Sequence, residues 1–263
     1  MKVFFIGDIV GRTGRTAVRN LLPEIIKKEN PDLIIANAEN SAGGFGLTRR
    51  VADELFSYGI DILTMGNHTW DKKGILDFIG KENRIIRPLN YNMNVPGKGW
   101  TVLKVNDFSV AVINFNGQVF MTGNNSPFDT YDKFIEQIKN EADIIIIDFH
   151  AEATGEKLAF ANYVDGQVAA VVGTHTHVQT SDNMILPAGT AYMTDLGMTG
   201  AVNSILGMSK DKVIERFRTQ ISISYKVARG PYKIEGAIIE IDENLYTGNK
   251  IERIRETSMS LKK

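Results

Sequence analysis

Five apolar runs in this chain each stop at residues able to bind a metal ion. VFFIG stops at Asp8, LIIANA at Glu39 and Asn40, ILTMG at Asn67 and His68, IIIIDF at His150, and AAVVGT at His175 and His177. The runs are short and rich in β-branched residues, so they read as buried strands. The strands expected are Val3 to Ile6, Leu33 to Ala36, Ile62 to Met65, Val102 to Val105, Val110 to Asn114, Ile144 to Asp148 and Val168 to Val172. Amphipathic segments predict helices over Thr16 to Glu29, Thr48 to Tyr58, Lys72 to Gly80, Tyr131 to Asn140 and Lys210 to Thr219. Strands alternating with helices specify an α/β fold around a largely parallel sheet. The carboxyl ends of such strands open on one crevice, where residues distant in sequence converge.

Beyond Ser222 the pattern changes to alternation: Ile221, Ile223 and Tyr225, then Ile238 to Ile241 and Ile251 to Ile254, which reads as antiparallel strands ending the chain in a second sheet. Arg87 to Gly99 and Asn116 to Asp129 are rich in Gly, Asn and Pro and are expected as loops. Nothing separates autonomous units, so residues 1–263 are expected to form one domain. A formal charge of −1 gives no basis for a polyanion-binding surface as the main function, so no extended nucleic acid is expected. No apolar stretch approaches the roughly 20 residues that span a bilayer, and the first apolar run is broken by Gly7 and Asp8 before a secretory core is complete. The expectation is a cytoplasmic protein without a membrane partner; a homo-oligomer is left open.

With no cysteine in the chain, thiolate metal sites and a cysteine nucleophile are excluded, so any metal rests on imidazole, carboxylate or amide oxygen. All four histidines lie at the strand ends, whereas histidines kept for packing or solubility would scatter. His175 and His177 are two apart, which in extended backbone sends both side chains to one face, toward neighbouring metals. Asp8 alone could cap a turn after Gly7, and Asn40 and Asn67 alone could be turn residues; their company argues for ligands. Glu39 would be costly to bury unpaired, and its two oxygens could bridge two cations. Asp148, Glu152 and Asp195 are candidates to orient imidazoles. Ser41 to Gly46 invites a phosphate-cradling reading but matches neither phosphate-loop fingerprint, so a flexible turn is the better reading. No G-x-S-x-G occurs.

Taken in order, Gly7-Asp8, Gly66-Asn67-His68, a lone strand-end His150 and Gly173-Thr-His175-Thr-His177 resemble the calcineurin-like superfamily of binuclear metallophosphoesterases. Two departures narrow the resemblance. Val10 stands where most of that superfamily has His, and Asn37-Ala-Glu39-Asn40 replaces its Gly-Asp-x-x-Asp. Both are similar to the bacterial YmdB-like branch, described as 2′,3′-cyclic-nucleotide 2′-phosphodiesterases. Whole phrases agree with that branch, among them Thr64 to Lys73, Asp148 to Thr154, Val171 to Thr180 and Thr194 to Gly200, and the resemblance runs from Met1 to about Ile254.

The resemblance implies a sandwich of two mixed sheets flanked by helices. It also implies that Asp8, Glu39, Asn40 and His177 hold one iron-like metal, and Glu39, Asn67, His150 and His175 the other, with Glu39 bridging and His68 as general acid. A mixed nitrogen and oxygen donor set suits Fe, Mn or Zn, and the resemblance favours iron. Two such ions can acidify a shared water for in-line attack on phosphorus. The expected reaction is hydrolysis of a small cyclic nucleotide or other phosphodiester, 2′,3′-cyclic nucleotide to nucleoside 3′-phosphate, with 3′,5′-cyclic AMP as a further substrate. Rival readings are a phosphomonoesterase, an RNA-end nuclease, and a regulatory protein that senses nucleotides with slow turnover.

Overall fold

The computed structural model describes residues 1–259, so the last four positions of the expected domain lie outside it. Its strands are β1 (Lys2–Ile6), β2 (Asp8–Ile9), β3 (Leu33–Asn37), β4 (Ile62–Thr64), β5 (Ile85–Ile86), β6 (Trp100–Val105), β7 (Phe108–Asn116), β8 (Ile144–His150), β9 (Ala170–Thr174), β10 (Met184–Ile185), β11 (Ala191–Met193), β12 (Met198–Ala201), β13 (Tyr232–Asp242) and β14 (Thr247–Thr257). Its helices are α1 (Gly11–Glu29), α2 (Arg49–Ser57), α3 (Pro127–Lys139), α4 (Thr154–Tyr163) and α5 (Lys210–Thr219). A 3-10 helix, Lys73–Asp77, occupies the middle of the segment expected as a helix from Lys72 to Gly80. No helix among the described residues is long and apolar enough to cross a membrane.

Two mixed sheets form. One has the order β2-β12-β13-β1-β3-β4-β5, with β14 added outside β13; the other has the order β10-β11-β9-β8-β7-β6. In the first, β1, β3, β4 and β5 run parallel; in the second, β7, β8, β9 and β11 do. The period of two along each strand sorts its side chains onto two faces. Val3, Phe5, Leu33 and Ile35 meet Val110, Val112, Ile144 and Ile146 between the sheets. Phe4, Ile6, Ile34 and Ala36 pack outward under α1 and α2. Ala111, Ile113, Ile145 and Ile147 pack outward under α3 and α4. Each strand core is thus buried on both faces, which is why these runs are continuously apolar. The result is the expected α/β sandwich.

Three expectations are corrected. The late alternating strands do not build a second sheet: β13 enters the first sheet antiparallel to β1, pairing Val3 with Ile239 and Phe5 with Ala237, and β14 pairs with β13. The second sheet comes from the middle of the chain. Ile221 to Tyr225 has strand-like alternation but joins no ladder among the described residues. Helix α4 was not anticipated, because Leu158 to Ala161 is an unbroken apolar run without helical spacing and its buried set includes Lys157.

Candidate metal centre

The parallel strands deliver their polar residues to one end of the sandwich. The first sheet brings Asp8 as the first residue of β2, Glu39 and Asn40 from the turn after β3, and Asn67 from the turn after β4. The second brings His150 as the last residue of β8, and His175 and His177 after β9. Asp8, Glu39 and His150 are fully buried.

His150 Nε2 lies 3.0 Å from each of three atoms: Glu39 Oε1, Asn67 Oδ1 and His175 Nδ1. One imidazole nitrogen carries at most one hydrogen, so it can satisfy only one of the three, and the other lone pairs converge on one another. Converging lone pairs fit a cation, and donors that are imidazole, carboxylate and amide suit Fe, Mn or Zn. Glu39, His150 and His175 therefore form a candidate metal-binding cluster. Beside it, Asn40 Nδ2 sits 3.2 Å from His177 Nε2 and 3.4 Å from both Asp8 Oδ1 and Glu39 Oε1. His177 Nε2 is 3.6 Å from Asp8 Oδ1. Half a turn of the Asn40 amide exchanges its nitrogen for a nearly isosteric oxygen and completes a second donor set. Glu39 Oε1 faces both groups.

Electrostatics point the same way. Burial would raise both carboxyls, but the hydrogen bond and charge of His177, with further help from His150, hold Asp8 well below the ordinary carboxylate range. Glu39 is lowered against burial by the charge and hydrogen bond of His150. At His150 burial is outweighed by Glu39 and Asp8, and its imidazole rises to about 9. Burial and the neighbouring charge of His150 push His175 down to about 3. Ionised carboxylates at such depth call for positive charge beside them.

The backbone carrying His175 and His177 is not extended, as the sequence suggested. Strand β9 ends at Thr174, and His175 (φ 102°) and His177 (φ 63°) are left-handed. Such conformations cost on the order of 1–3 kcal/mol each and persist only where surroundings hold them. Here the support is a buried ion pair. Lys157 Nζ donates to Thr174 O and Asp195 Oδ2, both at 2.8 Å, and Asp195 Oδ2 accepts from the backbone of Thr176 at 3.0 Å. The turn aims His175 at His150 and His177 at Asp8 and Asn40, so the two rings serve different donor groups.

Behind the donors stand residues that fix them. His150 Nδ1 meets Thr174 Oγ1 at 2.8 Å, and that hydroxyl donates to Asp148 Oδ1 at 2.7 Å. The relay leaves Nε2 facing the cluster, as outer hydrogen bonds to ligating histidines do. Asp148 also accepts from Thr64 Oγ1 and Asn37 Nδ2, and Glu152 meets His175 Nε2 at 3.1 Å. Asp148, Glu152 and Asp195 were legible as candidates. Thr64, Asn37 and Thr174 were missed although they sit inside the strand-end motifs. Lys157 carried no signal, since a lysine in a helix ordinarily reads as a solvated residue.

His68 stands apart from the donors. Its backbone N–H donates to Glu39 Oε2 at 2.8 Å, its ring Nδ1 meets Asp71 Oδ2 at 2.8 Å, and Phe45 lies edge-on with ring centres 5.0 Å apart. The ring is partly exposed, and among the described residues Nε2 meets no partner. Gly66, just before, has no room for a Cβ, which would strike Glu39 Oε2 and the His150 ring. Gly66→Ala is therefore expected to fold and yet weaken metal affinity about 10- to 100-fold, the range seen when groups around ligands are disturbed. Circular dichroism and metal titration check this; wild-type affinity in a folded variant would show that Glu39 and His150 need not hold this geometry.

Comparison with known proteins settles the lineage. The family model described as YmdB-like protein matches residues 4–254. The chain belongs to the YmdB-like family. A YmdB-like relative from Bacillus subtilis, the 2′,3′-cyclic-nucleotide 2′-phosphodiesterase, is 48% identical over 254 residues, covering 97% of this chain and 96% of that protein. Two crystal structures superpose closely on this YmdB-like chain. A hypothetical protein from Thermus thermophilus has a TM-score of 0.92 at 38% identity, covering 98% of this chain and 99% of the other. A novel phosphatase from Mycoplasma pneumoniae has a TM-score of 0.92 at 34% identity, covering 100% and 96%.

Proposed function

We propose that this chain is a binuclear metal-dependent phosphodiesterase that opens 2′,3′-cyclic nucleotides to nucleoside 3′-phosphates. The observation that carries the reading is the convergence of donors from both sheets around Glu39, joined to the activity of the Bacillus subtilis relative. In this assignment Asp8, Asn40 and His177 would hold one ion, Asn67, His150 and His175 would hold the other, and Glu39 would serve both. Iron leads among the candidate metals, with manganese and zinc as alternatives. When bound, the two ions would acidify a water at neutral pH and offset charge on the nonbridging phosphate oxygens.

The chain's own residues supply the rest. The crevice orients the cyclic phosphate so that water adds to phosphorus opposite the ribose O2′. The P–O2′ bond breaks, O2′ takes the proton from His68 Nε2, the proton shed by the attacking water passes to solvent, from which His68 is reprotonated, and the 3′-ester remains. Asp71, on the far ring nitrogen, orients that imidazole for donation. No covalent adduct with the protein is required.

A panel of 2′,3′-cyclic, 3′,5′-cyclic and terminal phosphate substrates, assayed on protein of measured metal content, tests the reading. The expected product of 2′,3′-cyclic AMP is 3′-AMP. Accumulation of 2′-AMP would reverse the assigned leaving group. Tight binding without turnover would make the chain a nucleotide sensor, and preference for terminal phosphates would make it a phosphomonoesterase.

A further inference from the structure

A cavity of about 540 Å³ opens where the outermost strands of the two sheets, β5 and β6, face each other, and none of the eight strand-end site residues lines it. The segment after β5 is tied to the segment before β6 by Arg87 N donating to Lys98 O at 2.9 Å. Arg87 lines this cavity and is only 6% exposed. Its guanidinium meets three backbone carbonyls, Pro88 at 2.8 Å and Val95 and Pro96 at 3.4 Å. No carboxylate pairs with it among the described residues, and burial lowers its pKa.

A buried cation without a counter-charge is costly, and an anion beside it relieves the cost. Lys98 is a second cation on the wall, exposed and without an ion pair among the described residues. The carboxylate on the wall, Glu141, already accepts from Trp100 Nε1 at 3.3 Å and from Gln137 at 3.1 Å. Apart from Asn83 and Thr101, the rest of the lining is glycine, apolar or aromatic, with Leu89 and the rings of Trp100 and Phe134, whose centres lie 5.7 Å apart. The volume falls in the usual range for small-molecule sites, roughly 300–1,000 Å³, and such sites join apolar walls to a few polar groups.

We propose that this cavity is a second ligand site, for a small anion with a flat aromatic body, of the class of a nucleoside monophosphate. The anion sits by Arg87 and Lys98, and the aromatic body lies against Trp100. The site stands on its own cavity and holds whether or not the reaction assigned above is correct.

Trp100 supplies the test. In a Trp70→Phe variant it is the remaining tryptophan, so its fluorescence reports the cavity and not the strand-end site. Titration of the metal-loaded protein with 3′-AMP is expected to give saturable quenching, with adenosine and inorganic phosphate each binding at least about tenfold more weakly, since each keeps half of the recognised chemistry. Adding Lys98→Glu is expected to weaken 3′-AMP about tenfold while turnover of bis-p-nitrophenyl phosphate is unchanged. Arg87→Met should weaken it further; because Arg87 also ties down its loop, Lys98→Glu is the deciding variant. No quenching up to millimolar 3′-AMP, or equal affinity for adenosine, or undiminished affinity in the Lys98→Glu protein, would each overturn the site.

Discussion

Asp8→Asn and Asn67→Ala are each expected to reduce hydrolysis of 2′,3′-cyclic AMP by about 50-fold or more, while the protein stays folded. The magnitude follows from acid–base chemistry: a water acidified to a pKa of about 7 is half ionised at neutral pH, and one at about 9 is only about 1% ionised. Asp8→Asn keeps shape at a fully buried position but removes the charge beside His177 and leaves one acceptor oxygen where two now face His177 and the backbone N–H of His175, the latter 3.1 Å away. Asn67→Ala removes Oδ1 from the trio around His150 Nε2. The two changes strike different donor groups, so elemental analysis should find about one ion lost from each variant. Full turnover by either variant at saturating metal would remove that residue from the ligand set.

The second large effect concerns His68→Ala. A positioned general acid contributes roughly 10²- to 10⁴-fold in rate, and its benefit grows with the basicity of the leaving oxygen. The departing ribose alkoxide is strongly basic, so activity on 2′,3′-cyclic AMP should fall by that range. Bis-p-nitrophenyl phosphate releases nitrophenolate, which leaves unaided, so its hydrolysis should suffer far less. Metal content should stay at the wild-type level, because His68 approaches Glu39 through its backbone N–H, which alanine retains. Equal losses on both substrates would recast His68 as a stabiliser of transition-state charge. Asp71→Asn offers an internal control: with the 2.8 Å partner of Nδ1 altered, a smaller loss of the same selective kind is expected.

Much of this site was legible because each donor is written next to the strand that carries it. An Ile- and Val-rich run followed at once by Asp8, Glu39 or His150 states both a buried parallel strand and a polar group at its carboxyl end, and the parallel sheets bring those ends together. What stayed hidden depends on which element lies beside which. Alternation along Ile238 to Ile241 marks a strand yet says nothing of its neighbour, so its place against β1 could not be read. The same alternation at Ile221 to Tyr225 has no partner strand among the described residues. Lys157 could be understood only once α4 was packed over Thr174 and Asp195. The left-handed turn at His175 and His177 is held by that pair, and two histidines separated by a threonine carry no mark of it.

The place of β13 has a consequence for biosynthesis. β1 is made well before β13, yet they are hydrogen-bonded neighbours, and Gly7 N–H, just before Asp8, donates to Glu235 O of β13 at 2.9 Å. While the ribosome is still translating, β1 has β3 on one side and a bare row of amide and carbonyl groups on the other, the kind of edge that invites pairing with another chain. Closure waits until Tyr232–Asp242 has emerged, and a contact so remote in sequence forms slowly. A nascent or prematurely terminated chain can therefore hold nearly every donor of the candidate centre and still lack the strand that anchors its first one, which makes the ordering of this centre wait on β13.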